Sequence, residues 1–369
     1  MVGAFGNFAS RFIMNPRSDE RGIVVRGKEK NVCYNTIMVK AICTIGPASE
    51  GPDILSSLIL SGMDIARINF SHATEKQFIR IQKHIQLINK THSKRVKILA
   101  DLQGPRMRVG TLPKKGLLLK EGKTLWFSTD PSDTKAIHID DPYLHEDVEI
   151  GHPMHLSNGE IELEILEKEG SRFKAVVTVG GILYSRKGVN LPDTNLTTTG
   201  LTPKDKKDIA FVVKHDVDMI AMSFVKDDAD MQALRSLVNN PRIQLVAKIE
   251  RKHALQNLDE IIDTSDILMV ARGDLGIEIP IEDLPLVQKD IIKRATQRGK
   301  PSIVATQMLM SMINHTHPTR AEVSDIANAV LDGAWGLMLS DETAFGKYPL
   351  RTLEYLTKTA DKAEGYLKK

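Results

Sequence analysis

Short apolar runs alternate along the chain with longer segments in which apolar residues recur every three or four positions. Eight of the short runs have the length and flanks of buried parallel strands. They are Val39 to Ile45, Asp64 to Phe70, Val96 to Leu102, Met219 to Val225, Gln244 to Glu250, Ile267 to Asp274, Ser302 to Gln307 and Leu337 to Glu342. Helix punctuation fills the intervals. Thr74 and Gln77 form a capping box before Phe78, Ile81, Ile85 and Ile88, which share one helix face. Thr202 before Pro203 reads as an N-cap with proline at the first helical position, and Thr319 with Glu322 repeats the capping box before Val323, Ile326 and Val330. Gly62 and Gly299 stop their helices. Eight strand-helix units predict an α/β fold of the closed (β/α)8 TIM barrel type, closing on an amphipathic helix over Leu350 to Leu367.

The rhythm breaks once. Residues 111–199 carry alternating segments such as IELEILEKEG and RFKAVVTVGG, separated by Gly, Asn and Asp turns. That pattern predicts a small all-β domain inserted after the third strand. The expected organisation is an N-terminal extension over 1–37, barrel over 38–110 and 200–369, and the insertion between the two barrel parts.

Composition narrows the partners. The 369 residues hold 50 Lys plus Arg against 47 acids, a net charge of +3, and the basic clusters Lys94 to Lys97 and Lys204 to Lys207 are short or interrupted. No nucleic-acid partner is expected. No apolar run approaches the ~18 residues of a membrane-spanning helix, so no membrane partner is expected either. Cys33 and Cys43 are the only cysteines, and Cys43 sits in a strand-like run, which disfavours a disulfide framework and favours the cytoplasm. The first 37 residues lack a secretory signal. Their arginines and small residues leave organellar targeting as the alternative to a plain extension.

Barrel chemistry sits at the C-terminal strand ends. Here every end is polar: Gly46 and Pro47; Arg67 and Asn69; Asp101 and Gln103; Ser223 and Lys226; Lys248 and Glu250; Asp274; Thr306 and Gln307; Ser340 and Glu342. One such residue would be an ordinary solvated end; polar residues on all eight ends point to a site. Arg67 with Asn69, Asp101 with Gln103, and Lys248 with Glu250 are spaced by two, so each pair faces one side of its strand. Glu250 and Asp274 on adjacent strands can share a hard divalent ion such as Mg²⁺, the plainer reading being two unconnected acids. Arg67, Arg108 and Lys248 beside them favour an anion held through a metal, an arrangement suited to phosphoryl transfer. The Arg-Gly-Asp of 272–274 reads as the continuation of an apolar strand, with Gly273 letting backbone N–H groups approach an anion.

Several segments together closely resemble pyruvate kinase: KAICTIGPAS (40–49), GMDIARINFSHAT (62–74), DLQGPRMRVG (101–110), KGVNLP (187–192), VAKIE (246–250), MVARGDLGIEIP (269–280), and PTRAEVSDIANAV from 318. The likeness runs from about Val39 to about Leu367. It implies phosphate transfer from phosphoenolpyruvate to ADP, giving pyruvate and ATP. It implies Mg²⁺, or Mn²⁺ in its place, on Glu250 and Asp274, with Lys248 stabilising the enolate. Arg67 would hold the substrate phosphate, and the backbone of Gly273 and Asp274 with the Thr306 hydroxyl would hold the carboxylate. Thr306, backed by Ser340 and Glu342, would lie on the proton path. The nucleotide would meet Asn69, Phe70, Ser71, His72, Arg108 and Lys187, with the β insertion as a lid.

The resemblance also has a finer grain. Asp101, Leu102 and Gln103 follow the family version that does without K⁺, except that Arg106 stands where that version has lysine. Arg106 is therefore expected to supply the charge of K⁺ in cis, among Asn69, Ser71 and Asp101. Family members commonly continue into a C-terminal domain with effector sites, whereas this sequence stops after the barrel. The expectation is an enzyme without that regulation, any homo-oligomer forming through the barrel. Two alternatives stand: a catalytically impaired or regulatory relative, and a metal-dependent enolate-forming aldolase or lyase. The insertion, Lys187 and the arginines count against the last.

Overall fold

The computed structural model describes residues 38–198 and 200–369, together with the backbone of two short paired strands, Val24–Val25 and Tyr34–Asn35. Most of the expected extension, Cys33 included, lies outside the described residues. Eight strands are hydrogen-bonded in parallel around a closed ring: β1 Lys40–Thr44, β2 Ile65–Asn69, β3 Lys97–Asp101, β4 Met219–Met222, β5 Gln244–Ile249, β6 Ile267–Ala271, β7 Ser302–Ala305 and β8 Gly336–Leu339. β8 pairs back onto β1, Gly336 opposite Lys40, which completes the (β/α)8 barrel.

Alternation along the strands separates two cores. Ile42, Ile65, Leu99, Met219, Ala221, Val246, Ile267, Met269, Ile303, Ala305 and Met338 fill the barrel interior. Their sequence neighbours Ala41, Cys43, Ala66, Ile68, Ala100, Ile220, Leu245 and Ala247 pack outward against the helices. Parity then dictates the top of the barrel. Two residues beyond Ile42, Ile65, Leu99, Ala221 and Val246 come Thr44, Arg67, Asp101, Ser223 and Lys248, all buried. A polar layer thus caps the apolar interior.

Three strands stop three residues short of their expected ends. β4, β6 and β8 end at Met222, Ala271 and Leu339. Phe224 takes the left-handed conformation, φ 58°, which no strand tolerates. After Ala271 the chain enters a helix, Arg272–Glu278, so the Arg-Gly-Asp tripeptide is its first turn and not a strand extension. After Ser340 it enters the short helix Asp341–Ala344, which carries Glu342.

The helix caps match the pattern in two cases of three. Thr202 with Asp205 and Thr319 with Glu322 form reciprocal capping boxes. Thr74 accepts from the Gln77 N–H, but the Gln77 side chain turns to Glu50 instead of closing its box. Gly62 and Gly299 take φ of 109° and 68°, the left-handed geometry of helix stops. At the barrel's lower end, Asp64, Asp218 and Asp266 accept the backbone N–H of Ala41, Ile98 and Leu245 at 2.9, 2.8 and 2.7 Å. Each carboxylate stitches the foot of its own strand to a neighbouring one. No helix among the described residues is long and apolar enough to cross a membrane.

Between β3 and β4 lie a six-stranded sheet and a separate two-stranded ribbon. The sheet runs, in spatial order, Val189–Asn190, Pro153–Leu156, Ile161–Glu169, Arg172–Val179, Thr124–Ser128 and Ile137–His138. It has its own apolar core, with Phe127 stacked on its cross-strand partner Phe173 at 5.5 Å. That core already includes Met107 and Val109 and extends to Leu196.

Gly104 sits at the crossing from barrel to insertion with φ 67°. A Cβ there would lie 2.9 Å from Ser223 and from Phe224, the residues that brace the rim. Gly104→Ala combines a left-handed L-residue with a backbone-backed clash, and it is expected to lower unfolding free energy by at least about 2 kcal/mol. A urea melt checks this.

Candidate active site at the barrel rim

The rim is organised by one buried carboxylate. Asp101 is 1 % exposed and sits between two cations. The Arg67 guanidinium donates through Nε to Asp101 Oδ2 at 2.7 Å, and through another nitrogen to Thr44 Oγ1 at 2.8 Å. Lys248 Nζ lies 3.2 Å from Asp101 Oδ1, 3.0 Å from Glu250 Oε1 and 2.7 Å from the Ser223 hydroxyl. Burial by itself would push the Asp101 carboxyl up, but Lys248 and Arg67 hold it below the usual carboxylate range. Burial would likewise lower Lys248; Asp101 and Glu250 outweigh it and hold the ammonium above its ordinary value. The lysine is thus a fixed, desolvated positive charge.

Glu250 behaves differently. Its Oε2 accepts the Phe224 N–H at 2.7 Å, the contact that fixes the left-handed turn ending β4. Burial first, then the nearby Asp274, raise its pKa against the pull of Lys248. Two acids that repel each other across a rim, offering only oxygen donors, suit a hard divalent cation. No cluster of three or more His, Cys, Asp or Glu is arranged as a metal cage among the described residues.

Thr306 lies at the end of β7 in strained backbone, φ 72°, followed by Gln307 at 55°. A β-branched residue in this region persists only when its surroundings hold it. They do. Its hydroxyl accepts the Gly273 N–H at 2.8 Å, and its carbonyl accepts from Arg272 at 2.6 Å. Arg272 is itself anchored by both oxygens of Asp325 at 2.8 and 2.7 Å. Gly273, Asp274 and Thr306 therefore meet as the sequence suggests. The supporting pair Arg272 and Asp325 was not legible, because Arg272 read as strand.

Other expected members are placed less uniformly. Asn69 Oδ1 accepts the Ser71 N–H at 3.0 Å, the Phe70 carbonyl accepts from Lys204 at 2.6 Å, and His72 is exposed. Leu102 is buried, its carbonyl accepting from Ser223 at 2.7 Å. Arg108 bridges in antiparallel register to Gly188, next to Lys187, at the base of the insertion. Burial, followed by the charges of Arg106 and Arg186, lowers its pKa. Arg106 departs from expectation. Its guanidinium reaches Asp274 and Asn158, each at 3.3 Å, and not Asn69, Ser71 or Asp101, because Arg67 and Lys248 already saturate Asp101. Glu342 also departs. Fully buried, it accepts the backbone N–H groups of Leu309 and Ser340 at 3.0 and 2.7 Å. It makes no hydrogen bond to Thr306. The Ser340 hydroxyl is buried without a partner among the described residues.

A closed (β/α)8 barrel whose carboxyl rim combines a desolvated lysine, an arginine and two facing acids is the framework of an enzyme that handles anionic substrates. Sequence comparison narrows the class. The family model for the pyruvate kinase barrel domain matches residues 37–353. A pyruvate kinase of Thermococcus litoralis is 41 % identical over 331 residues, 89 % of this chain and 70 % of that protein. One from Agrobacterium vitis is 42 % identical over 329 residues, 88 % and 68 % of the two chains, and one from Thermotoga maritima 42 % over 330 residues, 88 % and 71 %. The chain belongs to the pyruvate kinase family, a family of phosphotransferases.

Asp101→Asn leaves Arg67 buried without its carboxylate partner and Lys248 with Glu250 alone. A loss of about 3–5 kcal/mol in unfolding free energy is expected, read from denaturant melts at pH 7. Because the folded pKa of Asp101 is depressed, the stability it contributes is present above its unfolded value of about 3.9 and is lost as pH falls below it. The variant's deficit should therefore shrink in melts taken under acid conditions.

Proposed function

We propose that this chain transfers the phosphoryl group of phosphoenolpyruvate to ADP with Mg²⁺, yielding pyruvate and ATP. The observation that carries this reading is Lys248: a buried ammonium, braced by Asp101 and Ser223, beside the facing acids Glu250 and Asp274. A β-phosphate oxygen of ADP attacks phosphorus, the bond to the enol oxygen breaks, and an enolate remains that must take one proton at carbon. Lys248 and Arg67 offer fixed positive charge where the oxyanion and the transferring group lie, without reorganisation during the step. Glu250 and Asp274 hold the metal, which when bound supplies charge stabilisation to the phosphoryl oxygens.

The backbone N–H groups of Gly273 and Asp274 and the Thr306 hydroxyl orient the substrate carboxylate, which replaces the bond that Gly273 and Thr306 make to each other. The strained Thr306 is kept in place for that role by Arg272. The unpartnered Ser340 hydroxyl supports a proton path behind Thr306; Glu342 contributes by holding the Ser340 and Leu309 backbones. Asn69, Phe70, Ser71, His72, Arg108 and Lys187 form the nucleotide side, where the insertion brings Arg108 and Lys187 together. Closure of that insertion excludes water from the transfer. Arg106 supplies a permanent cation next to Asp274 and makes K⁺ dispensable, though through Asp274 and not through the Asn69 to Asp101 cluster.

A coupled assay with phosphoenolpyruvate, ADP and Mg²⁺ is expected to form pyruvate; no turnover would refute the reading. Lys248→Ala should cost on the order of 10² to 10³ in kcat. Rates in K⁺ and in a bulky organic cation should agree within about twofold, whereas strong activation by K⁺ would show that Arg106 does not replace it.

A further inference from the structure

The helix Arg272–Glu278 carries Asp274 in its first turn, and its other end is gripped by the inserted sheet. The grip comes from two strands at once. In the sheet, Val189–Asn190 pairs with Pro153–Leu156, and Asn190 stands directly opposite His155. Asn190 Nδ2 donates to Glu278 Oε1 at 3.0 Å. His155 Nδ1 lies 3.0 Å from the Ile277 carbonyl. A carbonyl only accepts, so Nδ1 carries the proton. One cross-strand pair therefore holds two consecutive residues of one helix end.

The same sheet reaches the helix's first turn. The turn Ser157-Asn158-Gly159, all three residues at positive φ, follows directly on the strand that carries His155. Its Asn158 meets Arg106, and Arg106 meets Asp274. A further contact ties the segment after Glu250, where Lys252 pairs with Asp193 at 2.6 Å. Arg251 lies buried between, its guanidinium 5.2 Å from the Phe224 ring centroid and electrostatically favoured by Glu278. Lid contacts thus converge on the few residues that follow each of the two acids.

We propose that Asn190 and His155 are positioning residues that set the Asp274 carboxylate through the helix Arg272–Glu278, so that divalent-metal affinity depends on the seating of the insertion. The inference rests on the reading of Glu250 and Asp274 as the metal pair. A seven-residue helix has little internal slack, because its turns share one short hydrogen-bond ladder. Release of its far end frees the carboxylate at its near end to rotate. Groups that orient a metal ligand from behind typically change affinity by about 10- to 100-fold when removed.

The test is Mn²⁺ binding to the full chain without substrates, read as free Mn²⁺ by electron paramagnetic resonance. Asn190→Ala and His155→Ala are each expected to weaken Mn²⁺ about 10-fold and to raise the ADP KM more than they lower kcat. Asn190→Asp sets a second carboxylate against Glu278 and should weaken Mn²⁺ further than Asn190→Ala. Far-ultraviolet circular dichroism confirms that each variant is folded, and a variant that fails this check leaves the others to decide. Mn²⁺ affinity within twofold of the parent chain in the folded variants would overturn the proposal. If the parent chain binds no Mn²⁺ at all, the metal reading of Glu250 and Asp274 falls instead, and this inference falls with it.

Discussion

Everything at the rim depends on keeping a carboxylate ionised inside a barrel. Asp101 occupies the inward layer directly above Leu99, where an unpaired charge would cost several kcal/mol. Arg67 and Lys248 from the flanking side of the same layer meet that cost, and in doing so lose their own freedom to move. Thr44 and Ser223 complete the set as neutral hydrogen-bond partners. The result is a rigid charged plate on an apolar plug. Its charges need no rearrangement to meet an anion, which is the condition for electrostatic catalysis in a dry site.

Part of this was legible from strand parity. Spacing by two puts Arg67 with Asn69, Asp101 with Gln103 and Lys248 with Glu250 on one side of each strand. Because both faces are apolar, it is the structure that assigns Arg67, Asp101 and Lys248 to the interior layer. The barrel and the inserted sheet follow from the same kind of pattern, whereas the pairing of Gly273 with Thr306 is implied only by the family resemblance. What the pattern could not reveal is where strands yield to tighter turns. An aromatic residue at φ 58°, as at Phe224, contradicts its own local preference and is held there by the tertiary hydrogen bond its N–H donates to Glu250. Arg272 misled for a related reason: it extends an apolar run, yet its side chain leaves the strand line to reach Asp325. The family's lysine at this position implies a place for Arg106 among Asn69, Ser71 and Asp101, but with Asp101 paired to Arg67 and Lys248 its guanidinium goes to Asp274 and Asn158.

Charged residues serve different ends of the barrel in different ways. At the foot, Asp64, Asp218 and Asp266 spend their oxygens on backbone N–H groups and tie strands together. At the rim, Asp101 spends its oxygens on the side chains of Arg67, Lys248 and Ser223, and Glu250 divides its own between Lys248 and the Phe224 N–H. The division separates what holds the ring closed from what gives it chemistry.

The two apolar cores meet along very little chain. The barrel core stops at Leu102 and resumes at Leu201; the insertion core begins at Met107 and ends at Leu196. Only the short stretches between belong to neither, and the first of them is the Gln-Gly-Pro-Arg of 103–106. In the language of hydrogen exchange, the inserted sheet has the makings of a separate foldon. Its amides can open and exchange as a unit while those of the barrel strands remain protected.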